Sequence, residues 1–233
     1  MNLTVLKFAL IRGLKSPVSM IVNYALPFII LIFMFDYSDG NEPSRGYFGL
    51  AMAIMFGAFY MAKSIQNDKI DGAVIRILAG PVTMRSYLVQ NFLATMIPLS
   101  AIVAIISALG IIMYGWAFSL AVGLLLCYAF LGATSVGLSF VWSCLFKNKE
   151  SGSVLYSMLM MVIILLCGLL IPLDALPAPL FYIGAIFPAH WASRAIEALL
   201  EYGGFVGIYW LSLLAMLLFA AAYLLYGGKR RII

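Results

Sequence analysis

Six apolar stretches lie along this chain, and none carries an acidic or basic residue in its interior. They cover residues 17–35, 47–62, 88–113, 117–146, 154–172 and 205–226. A helix needs about 20 apolar residues to cross a hydrocarbon core of roughly 30 Å. Within that core every backbone N–H and C=O must find its partner inside the protein, which favours helices. We therefore expect an all-α integral membrane protein with six transmembrane helices, folded as a single domain over residues 1–233. The second stretch is short, but Lys63 at its end can snorkel to the headgroups. The fourth is long enough to tilt or to run past the interface. A hydrophobic fraction of 65% supports the reading, since soluble domains average about 45–50%. The polar-containing segments 63–87 and 173–204 are each too short to bury a core of their own.

The net charge of +5 follows the membrane rather than a nucleic-acid partner. With the N-terminus in the cytoplasm, every Lys and Arg except Arg45 and Arg194 falls on the inner side. That asymmetry, in loops short enough for the positive-inside rule, places both termini in the cytoplasm. Asp36, Asp39, Glu42, Asp174, Glu197 and Glu201 fall outside. Cys127, Cys144 and Cys167 lie within spans, where small apolar residues serve helix packing, and an odd number gives no disulfide framework.

Three segments between the spans carry information. In residues 1–15, Leu3, Leu6, Leu10 and Leu14 share one helical face, with Thr4, Lys7 and Lys15 opposite and Arg12 at the edge. This pattern predicts an amphipathic helix lying in the inner interface, broken at Ser16-Pro17. In the inner segment 63–87, Ile70, Val74, Ile77 and Leu78 recur at helical spacing, with Lys69 and Arg76 elsewhere on the surface. Gly80-Pro81 ends that helix. An apolar stripe outside the bilayer needs headgroups, the rest of the chain or a partner to cover it. In the outer segment 173–204, prolines cut the chain into short pieces. Trp191, Ala195, Ala198, Leu199 and Tyr202 then line one helical face, and Arg194, Glu197 and Glu201 another. We expect a short helix pressed on the outer leaflet or capping a cavity.

The absent chemistry narrows the function. No G-x-x-x-x-G-K-[ST] loop is present to cradle phosphate. His190 is the sole histidine, which leaves metal clusters and Ser-His-Asp catalysis without a base. The chain is thus read as no enzyme, with no cofactor or metal of its own. Ion-coupled carriers hold ionisable groups at bilayer depth, but the interiors of these spans contain only uncharged polar groups, Ser, Thr, Tyr, Asn23 and Asn91, with Gln90 near the start of the third. Gly49, Ala53 and Gly57 form a small-residue seam in the second span, which permits close helix approach.

The order of parts resembles the permease subunit of type-2 ATP-binding-cassette (ABC) exporters. The first matching stretch is Asp71-Gly72-Ala73-Val74-Ile75-Arg76-Ile77-Leu78-Ala79-Gly80-Pro81-Val82, although that family usually has Glu in place of Asp71 and Thr or another small residue in place of Gly80. The second is Pro172-Leu173-Asp174-Ala175-Leu176-Pro177, followed by Phe187-Pro188 and a helix; its basic residue, Arg194, comes earlier than is usual. The resemblance implies that Ile70, Asp71, Gly72, Val74, Arg76, Ile77, Leu78 and Pro81 form a coupling helix that docks on a cytoplasmic ATPase subunit, where ATP and Mg would bind. It implies a second permease chain, identical or not, and a central pathway lined by the second and fifth spans. Asn23, Ala53, Phe56, Tyr60, Met158 and Met161 are the candidate pathway residues, and Pro172, Pro177 and Pro188 the outer gate. The expected function is ATP-driven export of an amphiphilic drug, antibiotic or antimicrobial peptide across a plasma or bacterial inner membrane. The rivals are export of a lipid or lipid-linked glycan, and a non-transporting anchor or channel.

Overall fold

A computed structural model describes residues 4–15, 21–35, 46–80, 82–145 and 149–229. Helix α1 spans Thr4–Lys15. Helix α2 begins with a π-helical turn, Ile21–Ala25, and continues as an α-helix over Leu26–Phe35. Pro27 explains the change of pitch: it has no N–H to give to the Asn23 carbonyl, so the α-helical ladder cannot run through that turn. Helix α3 covers Gly46–Ile70, α4 is the short Ala73–Leu78, and α5 and α6 are the long Met84–Tyr114 and Phe118–Leu145. Then come α7 (Lys149–Leu166), a 3-10 turn at Leu173–Ala175, α8 (Ala178–Gly184), α9 (Pro188–Tyr202) and α10 (Gly207–Lys229). No strand occurs among the described residues.

Among the described residues, four stretches are long and apolar enough to cross a membrane: Gly46–Asp68, Ser86–Tyr114, Phe118–Trp142 and Gly207–Tyr226. They coincide with the second, third, fourth and sixth expected spans. The first and fifth correspond to the shorter apolar helices Ile21–Phe33 and Ser151–Leu166. The fifth was expected to run to Pro172, but α7 stops at Leu166 because Gly168 takes a left-handed φ of 81°. Its 18 residues rise only about 27 Å, a little less than a full hydrocarbon core. The second apolar stretch, in contrast, belongs to a helix that continues for two turns beyond Ala62, so Ile70 closes α3 rather than opening the coupling helix.

Helix α6 is the central element, packed against α3, α5, α9 and α10. Tyrosine hydroxyls stitch the helices by donating to backbone carbonyls: Tyr128 to Tyr47 (2.8 Å), Tyr209 to Gly123 (2.9 Å) and Tyr114 to Leu31 (2.7 Å). Each gives an O–H at a helix contact its partner without placing a charge among apolar side chains. Gly57 lets α2 approach α3, because a Cβ there would collide with the amide of Asn23.

In the segment expected on the outer side, helix α9 is held by two neighbours. It is packed between α6 and α10, with His190, Ala192, Ser193, Ala195, Ile196, Ala198 and Leu199 buried. Its small residues permit that approach. Tyr202, assigned to the apolar face, is exposed at the helix end.

Candidate functional site: the elbow between the second and third spans

The loop between α3 and α5 forms an elbow. Asp71 and Gly72 make the turn, and Gly72 adopts φ 68°, a left-handed conformation that costs glycine little. Helix α4 then runs for one and a half turns. Thr83 caps α5, its hydroxyl accepting from the Ser86 amide at 3.3 Å.

Val74 points into the protein, at 1% exposure. Ile77 also packs against the core. The apolar stripe read from the sequence is therefore covered in part by this chain, and Val74 is not available to an outside partner. The residue left outward is Ile75, at 59% exposure, beside the exposed Arg76 and Asp71. The Arg76 guanidinium donates to the Asp71 backbone carbonyl at 3.3 Å, which folds the basic side chain back over the turn. The side chains of Ile70 and Leu78, and Pro81 entirely, lie outside the described residues.

A polar node behind the elbow went unforeseen. Asp68, at the end of α3, receives both terminal nitrogens of Arg12 from α1: Nη1 on Oδ1 and, at 2.9 Å, Nη2 on Oδ2. The Tyr87 hydroxyl of α5 donates to the same Oδ2 at 2.8 Å. The Asp68 side chain is 10% exposed and that of Arg12 46%. A carboxylate this enclosed needs such partners, because a buried charge without them is costly. Nearby, the Leu6 amide in the first turn of α1 donates to Gln90 of α5 at 3.0 Å, satisfying an N–H that the helix itself leaves open. The only sequence signal was an acid at a helix end; its partners lie 56 and 19 residues away. These contacts also turn α1 differently from its leucine pattern. Ala9 is buried and Val5 packs on the core, while Phe8 and Ile11 are exposed.

The candidate pathway residues lie on α2, α3 and α7 and differ in burial. Asn23 and Ala53 are buried, and Phe56 and Tyr60 pack partly against the core. Met158 and Met161 stand on an exposed face of α7 with Val154, Leu155 and Val162. Among the gate prolines, Pro172 and Pro177 are exposed, whereas Pro188 is buried at the start of α9. Around them sits an ionisable group of residues. The Arg194 guanidinium lies 5.8 Å from the centre of the Phe181 ring. Burial, with Asp174 next in importance, pushes the Glu197 carboxyl up to about 7. Burial and the neighbouring Arg194 lower His190 to about 4, keeping it neutral near pH 7. Cys127 and Cys167 are buried and free. Among the described residues, no group of three or more His, Cys, Asp or Glu side chains could hold a metal ion.

Apolar helices around a central one, interrupted by a short helical elbow, define a polytopic helical membrane protein. The chain belongs to the ABC-2 family transporter proteins, whose family model matches residues 44–228. That makes it the membrane component of an ABC transporter, a family whose permeases work with cytoplasmic ABC ATPase subunits. The matched stretch includes the elbow and the outer segment and begins after α1 and α2. No curated protein matches the chain.

Proposed function

We propose that the chain is half of an export pathway, pairs with a second permease chain, and is driven by ATPase subunits that dock on the elbow. Helix α4 is the coupling helix. Ile75, with Arg76 and Asp71 beside it, is the surface offered to the ATPase, while Val74 and Ile77 fasten the helix to the permease. The observation that carries this reading is the division of α4 into a buried side and an exposed apolar one. A single exposed isoleucine is ordinary on a protein surface; what favours docking is its place beside the exposed Asp71 and Arg76, in the loop between two candidate spans and within the stretch that the family model matches. Closure of the ATPase pair on ATP would push α4 and, through α3 and α5, rock the membrane helices. The exposed Met158 and Met161 face of α7 suits both a second permease chain and an adaptable wall for an amphiphilic drug, antibiotic or peptide, since thioethers adjust to varied apolar shapes.

Purification from the native cell tests the proposal. The chain should carry with it a Walker A-containing subunit that hydrolyses ATP, and separation should leave the permease without hydrolysis or saturable labelling by a photoreactive ATP analogue. Labelling of the isolated chain, or a permease that transports with no such subunit, would overturn the reading.

A further inference from the structure

Helix α1 precedes the stretch matched by the family, yet its Arg12 holds the carboxylate at the end of α3 from which the elbow departs. We propose that Arg12 is a positioning residue: acting through Asp68, it makes α1 a strut that sets the angle of α4 and moves with it. This inference rests on the coupling role given to α4.

Three observations support the strut. First, the two-nitrogen contact fixes direction as well as distance, because the planar guanidinium meets both carboxylate oxygens at once. Tyr87 binds the same carboxylate, so α1, α3 and α5 converge on one residue, three positions before the Asp71-Gly72 turn. Second, the Leu6–Gln90 bond fastens α1 to α5 at another point, which prevents α1 from swivelling about Arg12 alone. Third, a cleft of about 390 Å³ separates α1 from the elbow, lined by Phe8, Arg12, Asp68, Ile77, Val82 and Tyr87. With open space between them, α1 and α4 communicate through the polar node rather than by continuous packing. Loss of that node should leave α4 anchored by Val74 but free to tilt into the cleft.

Hydrogen exchange on the full chain in lipid nanodiscs tests this without any ATPase. Arg12→Gln should speed exchange of the amides in both α1 and Ala73–Leu78 by about tenfold, since opening of a local unit controls their protection. Asp68→Asn should do the same, and the double variant should add little, because each acts through the other. Arg12→Lys, which keeps the charge and loses the paired contact, should fall between, as should Tyr87→Phe, which also covers the case in which the Asp68 variant does not fold. Faster exchange in α1 with Ala73–Leu78 unchanged would overturn the strut.

A second arm uses the ATPase subunit that copurifies with the wild-type chain. The Arg12→Gln permease should bind it with unchanged affinity and lose several-fold of the substrate-stimulated hydrolysis, a split that a merely destabilised permease would not give. Full stimulation with Arg12→Gln contradicts the strut. Absence of any ATPase on the wild-type chain contradicts the coupling role, while the exchange arm still decides the mechanical link.

Discussion

The elbow and helix α9 are both short helical insertions between apolar helices, yet they are held in different ways. Helix α9 is fixed by apolar surface, with Ala195, Ile196 and Leu199 buried between α6 and α10. Among the described side chains of the elbow, Val74 and in part Ile77 pack inward, and Arg12, Asp68 and Tyr87 meet at the end of α3 behind it. Apolar packing adds up over many weak contacts and has no single point of release. A polar node is local and directional, so one event can change it. The difference suits the roles proposed above, in which the elbow transmits movement and α9 keeps its shape.

The comparison is broken most completely by topology. The basic asymmetry predicts that the two regions lie on opposite sides of the membrane, so the expected effect is all-or-none. Single cysteines at Ser86 and Ala178, in a background lacking the native cysteines, should differ on intact cells treated with an impermeant maleimide. Ala178 should react and Ser86 should not. Labelling of Ser86 alone would invert the whole arrangement.

The next largest effect concerns packing. Leu199→Ala should destabilise the protein by about 2–5 kcal/mol, the range for deleting a buried leucine side chain. Thermal unfolding in detergent should show a lowered transition, while ATPase binding by the folded fraction is unchanged. A cost near zero would mean that α9 is not locked by its apolar face.

The smallest effect is a pH dependence at the outer segment. Glu197 is raised to about 7 in the folded chain, above the ordinary carboxyl value of about 4.3 that it recovers on unfolding. Between those values the folded state keeps a proton that the unfolded state has lost. Its contribution to stability therefore falls as pH rises through that window and is flat above it. His190, lowered to about 4, has the opposite slope. Below about 6.5 the unfolded state gains a proton first, so its contribution falls as pH falls. Glu197→Gln should remove the first slope and leave the second, making the protein measurably more stable at pH 8 and no different at pH 4. Melting curves from pH 4 to 8 check this. An unchanged profile would show that Glu197 titrates like a surface carboxylate.

The membrane character of the chain was legible in the sequence because a charge-free apolar run has few alternatives to a buried or spanning helix. Helix ends were less so: Gly168 ends α7 early, and α3 continues past Lys63 through polar residues that no hydropathy pattern would extend. The short helix α4 was visible in Val74, Ile77 and Leu78, with Ile70 of the same stripe falling at the end of α3, but periodicity gives a face without saying what covers it. Here part of the cover for Val74 and Ile77 is the chain itself, and the outward residue is Ile75, which the stripe excluded. The Arg12–Asp68–Tyr87 node was not legible, since it joins three elements far apart in sequence and no local pattern marks a pairing between them. In α9, Glu201 is exposed while Arg194 and Glu197 are half-buried. The width of the buried side came from small residues, Ala192 and Ser193 among them, whose value lies in allowing α6 and α10 to come close.

The central claim is that α4 meets the ATPase through its exposed side and the permease through its buried one. A photoreactive benzophenone amino acid placed at Ile75 and, separately, at Val74 tests it in cells. From position 75 the crosslink should join the permease to a Walker A-containing subunit identified by mass spectrometry; from position 74 it should stay within the permease. Crosslinks to that subunit from 74 and not from 75 would contradict the assigned faces, and crosslinks from neither would remove α4 as the coupling helix.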